Sequence, residues 1–567
     1  MKKLISLAIF LASAAYALAC TNLIVGKKAS ADGSVMCTYN CDGFGFSGSL
    51  FYSPAGKHEP GELIAIHGWG PQHNDRFVKQ VEYTYNVVGL MNEHQVTIVE
   101  TTFDGRLELQ NPDGLLDYFS LMRLALQRSA TAREAIRCMA ELVEEYGYNS
   151  SGESITICDP NEAWIMEIIG KGEGRNGAVW VALRIPDDCI SAHANLSRIR
   201  QFPQEKTVGS KHALTAISSK NLKKINRPEI ECVYAHDVIT FAREKGYFSG
   251  KDTDFSFRDA YCPIDFENVR YADARVWSFF RHHRRDMDQY LPYINGHFDE
   301  CDCMPLWVKP DAPLSLRDLQ RDMRDHFEGT PLDMTTDMTA GPWGMPIRPL
   351  PMHYASSDSI NFFRERPIAT QQSGFTMTCQ MRSWLPNDVG GVIWFNCDDS
   401  DMVAYVPLYC CITQVPDCFR PENNPRNEFS FESAFWMNNW VANMVYPRYS
   451  MMIGDLREAQ NELEDYYFND QKEVLKDIEK MTPADRRDYL NKKSIAYADK
   501  MMQRWDKLAK YLIVRYNDQV KRRVDESGNF QRWGYETPGY DQQFIDAIAP
   551  STGERYKLDN VIERRER

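Results

Sequence analysis

The sequence predicts a layered α+β protein followed by a helical extension, and three observations predict it. Apolar, β-branched segments come in hairpin-like pairs between residue 20 and about residue 200, with one long helical block among them. Strand-like segments return at 380–409, after an irregular stretch rich in Pro, Asp and aromatic residues. From about residue 430 the periodicity turns helical. Strands and helices in blocks, rather than in strict alternation, suit stacked layers.

The first nineteen residues read as a secretory leader. Lys2 and Lys3 form a short positive region, and residues 4–16 (LISLAIFLASAAY) are apolar but too short for a stable membrane span. Ala17-Leu18-Ala19 follows the A-x-A pattern of ordinary cleavage, which makes Cys20 the new N-terminus. A competing reading acylates Cys20 and anchors the protein in the envelope. A lipobox, however, usually carries a branched aliphatic residue three before the cysteine, where this chain has Ala17, and a disordered tether after it. Here TNLIVGKKAS alternates like a strand entering a core.

Next, YTYNVVGLMNEHQVTIVETTF reads as two strands about a turn at Asn92-Glu93. The segment from Asp113 to Gly147 is helical, with Leu115, Phe119, Met122 and Leu126 on one face. SITICDPNEAWIMEII is a hairpin turned by Asp159-Pro160-Asn161, and AVWVALRIPDDCISAHAN adds two strands. Residues 201–370 are irregular, and QMRSWLPNDVGGVIWFNCDDSDMVAYVPLY is strand-rich. The tail carries three helical stretches; the stripe Val474, Leu475, Ile478 and Met481 in the second is read as core packing. The expected organisation is a leader (1–19), a main domain (20–425) and a mainly helical extension (426–567).

Composition narrows the function. The chain has 567 residues with 65 basic and 79 acidic side chains, a net charge of −14 that becomes −16 once the two leader lysines are gone. Such a balance argues against nucleic-acid and anionic-membrane partners. No second apolar run approaches the length of a membrane span. Fifteen cysteines leave fourteen besides Cys20, an even number that permits pairing without demanding it.

The chain lacks HExxH, GxSxG and a phosphate loop ending in GK[ST]. Cys301-Asp302-Cys303 has no second pair at zinc spacing. His282-His283-Arg284-Arg285 is followed by Asp286 and Asp288 and reads as a solvated helix face; Cys397-Asp398-Asp399-Ser400-Asp401 reads as a polar turn. Cys20 remains. A thiol of pKa about 8.5 needs a base, and an α-amine of pKa about 7.7–8.0 on the same residue provides one. One residue then supplies nucleophile and base, but only after the leader is removed.

CTNLIVGKKASADGSVMCTYNCDG resembles the N-terminus of the bacterial Cys-type dipeptidases among the N-terminal nucleophile hydrolases, relatives of penicillin V acylase and choloylglycine hydrolase. The resemblance continues, in order, through GLMNEHQVTIVETTFDG, RIPDDCISAHANLSRIR, YADARVW, RSWLPNDVGGVIWF and SAFWMNNWVANMVYPRYS. It implies a four-layer αββα fold and amide hydrolysis through a thioester, with small peptides as substrates and no metal or organic cofactor. It assigns Cys20 as nucleophile, Asp42 as the carboxylate holding its α-amine, and Asn195 as an oxyanion donor. Arg275 matches a late arginine near the nucleophile, with a structural salt bridge as the alternative, and the strand around Thr101 and Thr102 supplies a second oxyanion donor. One position departs: the family's R-N-x-D is Tyr39-Asn40-Cys41-Asp42 here, so a neutral phenol stands in place of a cation; the expected outcomes are an altered substrate choice or turnover, or compensation by a basic residue from elsewhere, Arg275 being one candidate.

The expectation is therefore an exported cysteine dipeptidase, periplasmic or extracellular. An acyl-amide hydrolase with the same machinery and a lipid-anchored binding protein are the alternatives. Homo-oligomer formation is one of the roles left open for the C-terminal helices.

Overall fold

A computed structural model describes residues 20–66, 76–205, 215–349, 353–355, 357, 361–363, 365–553 and 555; the leader expected at 1–19 lies outside them. Two large sheets dominate. The seven-stranded one runs, in spatial order, Trp307–Val308, Ile190–His193, Asn22–Val25, Val35–Asp42, Ser373–Met381, Val392–Cys397 and Val406–Tyr409, and all its pairings are antiparallel. The nine-stranded one is centred on Thr97–Asp104, Gly152–Cys158, Ala163–Gly170 and Ala178–Arg184, with short strands at both edges.

The central strands are buried along their whole length rather than on alternate residues, as in Val35–Asp42 and Ser373–Met381. Burial on both faces requires a cover on each side. The strands Asn22–Val25 and Val35–Asp42 approach Thr97–Asp104 and Gly152–Cys158 of the other sheet. Helices Tyr118–Arg128 and Ala132–Tyr146 pack on the nine-stranded sheet; Ala434–Val445, Tyr449–Asp477 and Pro483–Arg515 cover the seven-stranded one. Apolar side chains from all these elements form one continuous core.

The hairpin about Asp159-Pro160-Asn161 forms as expected, between Gly152–Cys158 and Ala163–Gly170. The two strands of AVWVALRIPDDCISAHAN form too, but each joins a different sheet. The helical block at 113–147 splits into two helices, because Asp117 and Thr131 each cap a new N-terminus by accepting from the backbone N–H three residues on. Leu115 therefore precedes the first helix. Asn92-Glu93 follows a pair of two-residue strands, Val87–Val88 and Met91–Asn92, and the chain turns again before Thr97. The stripe of the second tail helix is core, with Val474 and Ile478 buried and Leu475 and Met481 packed beside them. The tail also carries a hairpin, Lys521–Val524 with Phe530–Glu536, that helical periodicity did not suggest.

Two polar runs of the sequence carry contacts with distant parts of the chain. The run His282-His283-Arg284-Arg285 is exposed or half-exposed, as expected, and one ring nitrogen of each histidine also reaches the buried Asp322, at 3.0 and 2.6 Å. The Cys397–Asp401 turn is polar but wholly buried. Tyr446 donates to Asp399, and Tyr449 and Arg457 to Asp401, which anchors the tail helices to this turn.

Candidate active site

Cys20 sits immediately before the strand Asn22–Val25, fully buried. The bridge between Thr21 and Asn40 sets it beside the strand Val35–Asp42. Its Sγ lies 3.6 Å from the Tyr39 hydroxyl and 3.6 Å from Glu100 Oε1. Burial first, then the neighbouring Cys41 thiol and the acids Glu100 and Asp42, push its pKa well above the ordinary thiol value.

Arg275 stands in the helix Ala274–His283 and reaches across to Cys20. Its Nη1 donates to the carbonyl of Cys20 at 2.9 Å and to Thr21 Oγ1 at 2.7 Å. Its Nη2 donates to the carbonyl of Ala194 at 2.8 Å and to Asn195 Oδ1 at 2.9 Å. It is fully buried, and burial together with the nearby Arg366 guanidinium pulls its pKa down to about 9.

Asn195 follows the strand Ile190–His193 with φ of 70°, in the left-handed region that asparagine tolerates better than most residues. A guanidinium only donates, so Arg275 and, at 3.4 Å, Arg366 turn the amide oxygen toward themselves and the Nδ2 group away. Nδ2 donates to the carbonyl of Thr102 at 2.7 Å and keeps a second N–H.

Asp42 is fully buried and forms an ion pair with Arg366, while Ser373 donates to its other oxygen at 2.5 Å. Desolvation raises its pKa, against the lowering pull of Arg366 and Ser373. Arg366 also donates to the Tyr271 hydroxyl at 2.8 Å. Tyr39, the departure from the family pattern, donates to Glu100 Oε1 at 2.5 Å. Cys20, Tyr39, Asp42, Asn195 and Arg275 are thus all joined in one buried hydrogen-bonded group.

Thr101 does not face this group: its hydroxyl pairs with His193 Nδ1 at 2.7 Å, and Thr156 pairs with Nε2 at 2.7 Å. Arg366, Ser373 and Glu153 lie outside the motifs singled out above, and Glu100 and Tyr271 lie inside two of them without being recognised as site residues. The one available signal was indirect, since a tyrosine in place of the family's arginine admits compensation by a cation from elsewhere. Arg366 answers it beside Asp42, alongside Arg275.

A polar cavity of about 340 Å³ opens at Asn195, Thr102 and Tyr271. An apolar one of about 160 Å³ is lined by Phe46, Phe51, Phe119, Phe375, Met377 and Phe395. Phe375 packs edge-on against the Tyr39 ring at 5.4 Å. A larger cavity, lined by Arg317, Arg324, Asp325 and Arg457, includes none of the Cys20 group. Among the described residues no cluster of three or more His, Cys, Asp or Glu is arranged to hold a metal.

The sequence model of peptidase family C69 matches residues 19–53 and 65–462, most of the chain and all of this group. The chain belongs to peptidase family C69. It is accordingly a cysteine peptidase of the N-terminal nucleophile type, and a hydrolase. The peptidase is 22% identical over 434 residues to a protein of Salmonella dublin named "Probable dipeptidase", covering 72% of this chain and 85% of that one. It is 24% identical over 450 residues to a "Probable dipeptidase" of Latilactobacillus sakei, covering 76% and 82%. It is 23% identical over 543 residues to "Probable dipeptidase B" of Lactococcus lactis, covering 89% of this chain and 97% of the relative.

Proposed function

We propose that the peptidase is an exported dipeptidase whose nucleophile is Cys20, freed as the N-terminal residue when residues 1–19 are removed. The observation that carries this reading is the bonding around Cys20. Its carbonyl is held by Arg275, which also grips Asn195, and Arg366 links Asn195 to Asp42. A residue whose own backbone is clamped this tightly is suited to present a thiol and an α-amine in fixed geometry. The two facing sheets with helices outside them support the αββα N-terminal nucleophile fold, and the names of the relatives support dipeptides as substrates.

In the proposed reaction the α-amine of Cys20 takes the thiol proton as Sγ attacks the scissile carbonyl. Asp42, paired with Arg366, steadies the ammonium that results. The free N–H of Asn195 Nδ2 donates to the tetrahedral oxyanion, a type of contact worth roughly 3–4 kcal/mol. The ammonium then protonates the departing amine, leaving a thioester on Cys20. Water, deprotonated by the same α-amine, hydrolyses it. Arg275 touches no reacting atom in this scheme and acts by positioning Cys20 and Asn195.

The test is intact mass and N-terminal sequencing of protein purified after native export, with the same sample assayed on dipeptides. A chain beginning at unmodified Cys20, with turnover lost in Cys20→Ala, is the expected result. An acylated Cys20 without turnover would overturn the reading in favour of an anchored binding protein.

A further inference from the structure

Two carboxyl groups with no part in this reaction lie side by side, and one of them, Glu100, reaches Cys20 Sγ at 3.6 Å. Glu100 and Glu153 stand on adjacent strands, and the register that sets Thr102 opposite Glu153 puts Glu100, Thr102 and Glu153 on one face. Both acids are fully buried. Glu100 Oε1 accepts from Tyr39, and Glu153 Oε1 accepts from Thr102 at 2.8 Å, yet Oε2 of each is buried without a donor. The two side chains face each other; Cys20, Tyr39 and Asp42 stand around Glu100, Asp104 near Glu153, and Tyr118 and Tyr148 near both. Tyr118 Oη is likewise buried without a partner. Among the described residues no positively charged side chain bonds to either glutamate.

Unpaired carboxyl oxygens in a buried site call for a cation or a proton. They also work against the nucleophile, because negative charge beside a thiol opposes its ionisation. A group so placed makes sense if the substrate itself brings the missing positive charge.

We propose that Glu100 and Glu153 are the receptor for the free α-ammonium group of the substrate, so that the enzyme demands an unblocked amino-terminal residue on the acyl side of the scissile bond. This rests on the hydrolytic reading above and adds its specificity. Covalent geometry sets the ammonium nitrogen roughly 2.5 Å from the scissile carbonyl carbon. Attack needs Sγ roughly 3–3.5 Å from that carbon, and an ammonium–carboxylate bond spans about 2.7–2.9 Å. A carboxylate oxygen 3.6 Å from Sγ is within that reach. In the empty site the two carboxyls share one proton, since like charges in contact cannot both stay ionised in a dry pocket. As the ammonium binds, its three N–H groups take over the two Oε2 atoms and the shared proton leaves to solvent. The positive charge then also offsets the acids around Cys20. An acyl-amide substrate, having no amine, gains neither effect.

The probes are L-alanyl-L-alanine and propionyl-L-alanine, which differ only in the amine. The expected kcat/KM preference of the wild type for the dipeptide is about 10³ or more, as for a site built around one polar group. In Glu100→Gln, shown by its melting temperature to be folded, that preference falls at least 30-fold; in Glu153→Gln it falls in the same direction. A wild type that cleaves both probes alike, or a Glu100→Gln enzyme whose preference is unmoved, overturns the proposal. Calorimetric binding of the same probes to Cys20→Ala separates this from the hydrolytic reading. Selective binding of the dipeptide with proton release, lost in Cys20→Ala/Glu100→Gln, supports the receptor even where turnover fails. Equal or absent binding of both probes sinks it.

Discussion

Arg275 Nη1 donates to the main-chain carbonyl of Cys20 at 2.9 Å, while Nη2 of the same side chain donates to Asn195 Oδ1 at 2.9 Å. One planar fork thereby fixes the distance between Cys20, the proposed nucleophile, and the amide proposed to bind the oxyanion. An ammonium cannot reproduce that fork. Arg275→Lys is expected to lower kcat by about 10²-fold with a smaller change in KM, measured on a dipeptide; a fall in KM-limited binding alone would contradict a positioning role.

Arg366 is the counter-charge of a fully buried Asp42. Removing one partner of such a pair leaves an uncompensated charge and typically costs about 3–5 kcal/mol. Arg366→Met should destabilise by that order in urea denaturation, and Asp42→Asn added to it should recover part of the loss. A double variant no more stable than Arg366→Met would contradict the pairing.

Two buried histidines give opposite pH dependences. Burial, with Arg198 nearby, depresses His193 to about 3. The unfolded chain takes up its proton below about 6.5 while the native one does not, so stability falls as pH drops from about 6.5 toward 3, by up to about 4–5 kcal/mol. His326 is raised to about 9, because Glu328 outweighs the desolvation that would lower it. Its contribution is full below about 6.5 and is lost as pH rises to 9, up to about 3 kcal/mol. Denaturation midpoints across pH 4–10 should show both flanks, with the acid flank shallower in His193→Gln and the alkaline flank shallower in His326→Gln.

The tail helices are tied on by polar contacts beneath an apolar cover. Glu464 accepts from Arg324 Nη2 at 2.5 Å and from the backbone N–H of Tyr405 at 3.0 Å, and the Phe468 ring stacks on Trp394 with centroids 4.3 Å apart. Glu464→Ala strands a buried guanidinium and should lower stability by about 3–5 kcal/mol, read as a shift in denaturation midpoint with the Tyr449–Asp477 helix becoming protease-sensitive.

Much of this architecture is visible in single residues of the sequence. Asp159-Pro160-Asn161 dictates its hairpin through local turn chemistry, and the helical spacing of the tail needs no knowledge of partners. The site divides differently. Cys20, Asp42 and Asn195 are found because each lies in a short contiguous motif. Arg366 lies outside every such motif and Glu100 lies inside one, yet neither is recognised, because a buried charge shows its role only by what faces it. Tyr39 marks the boundary: its departure from the family pattern is legible, but its bond to Glu100 is not. The Cys397–Asp401 turn is legible as a polar turn, but its burial is not, since Tyr446, Tyr449 and Arg457 reach it from the tail.

The strand beside the nucleophile takes its neighbour from Ser373–Met381, and Asp42 meets a guanidinium 324 residues away. Loop closure over such separations is slow, and chains emerge from synthesis or export N-terminus first. The seat of Cys20 therefore cannot be built until most of the polypeptide has arrived. Under the proposed maturation, the enzyme that removes residues 1–19 would meet Cys20 on an accessible chain before its seat is assembled. A ribosome-stalled or truncated product ending before residue 373 would carry the thiol but have no site to seat it.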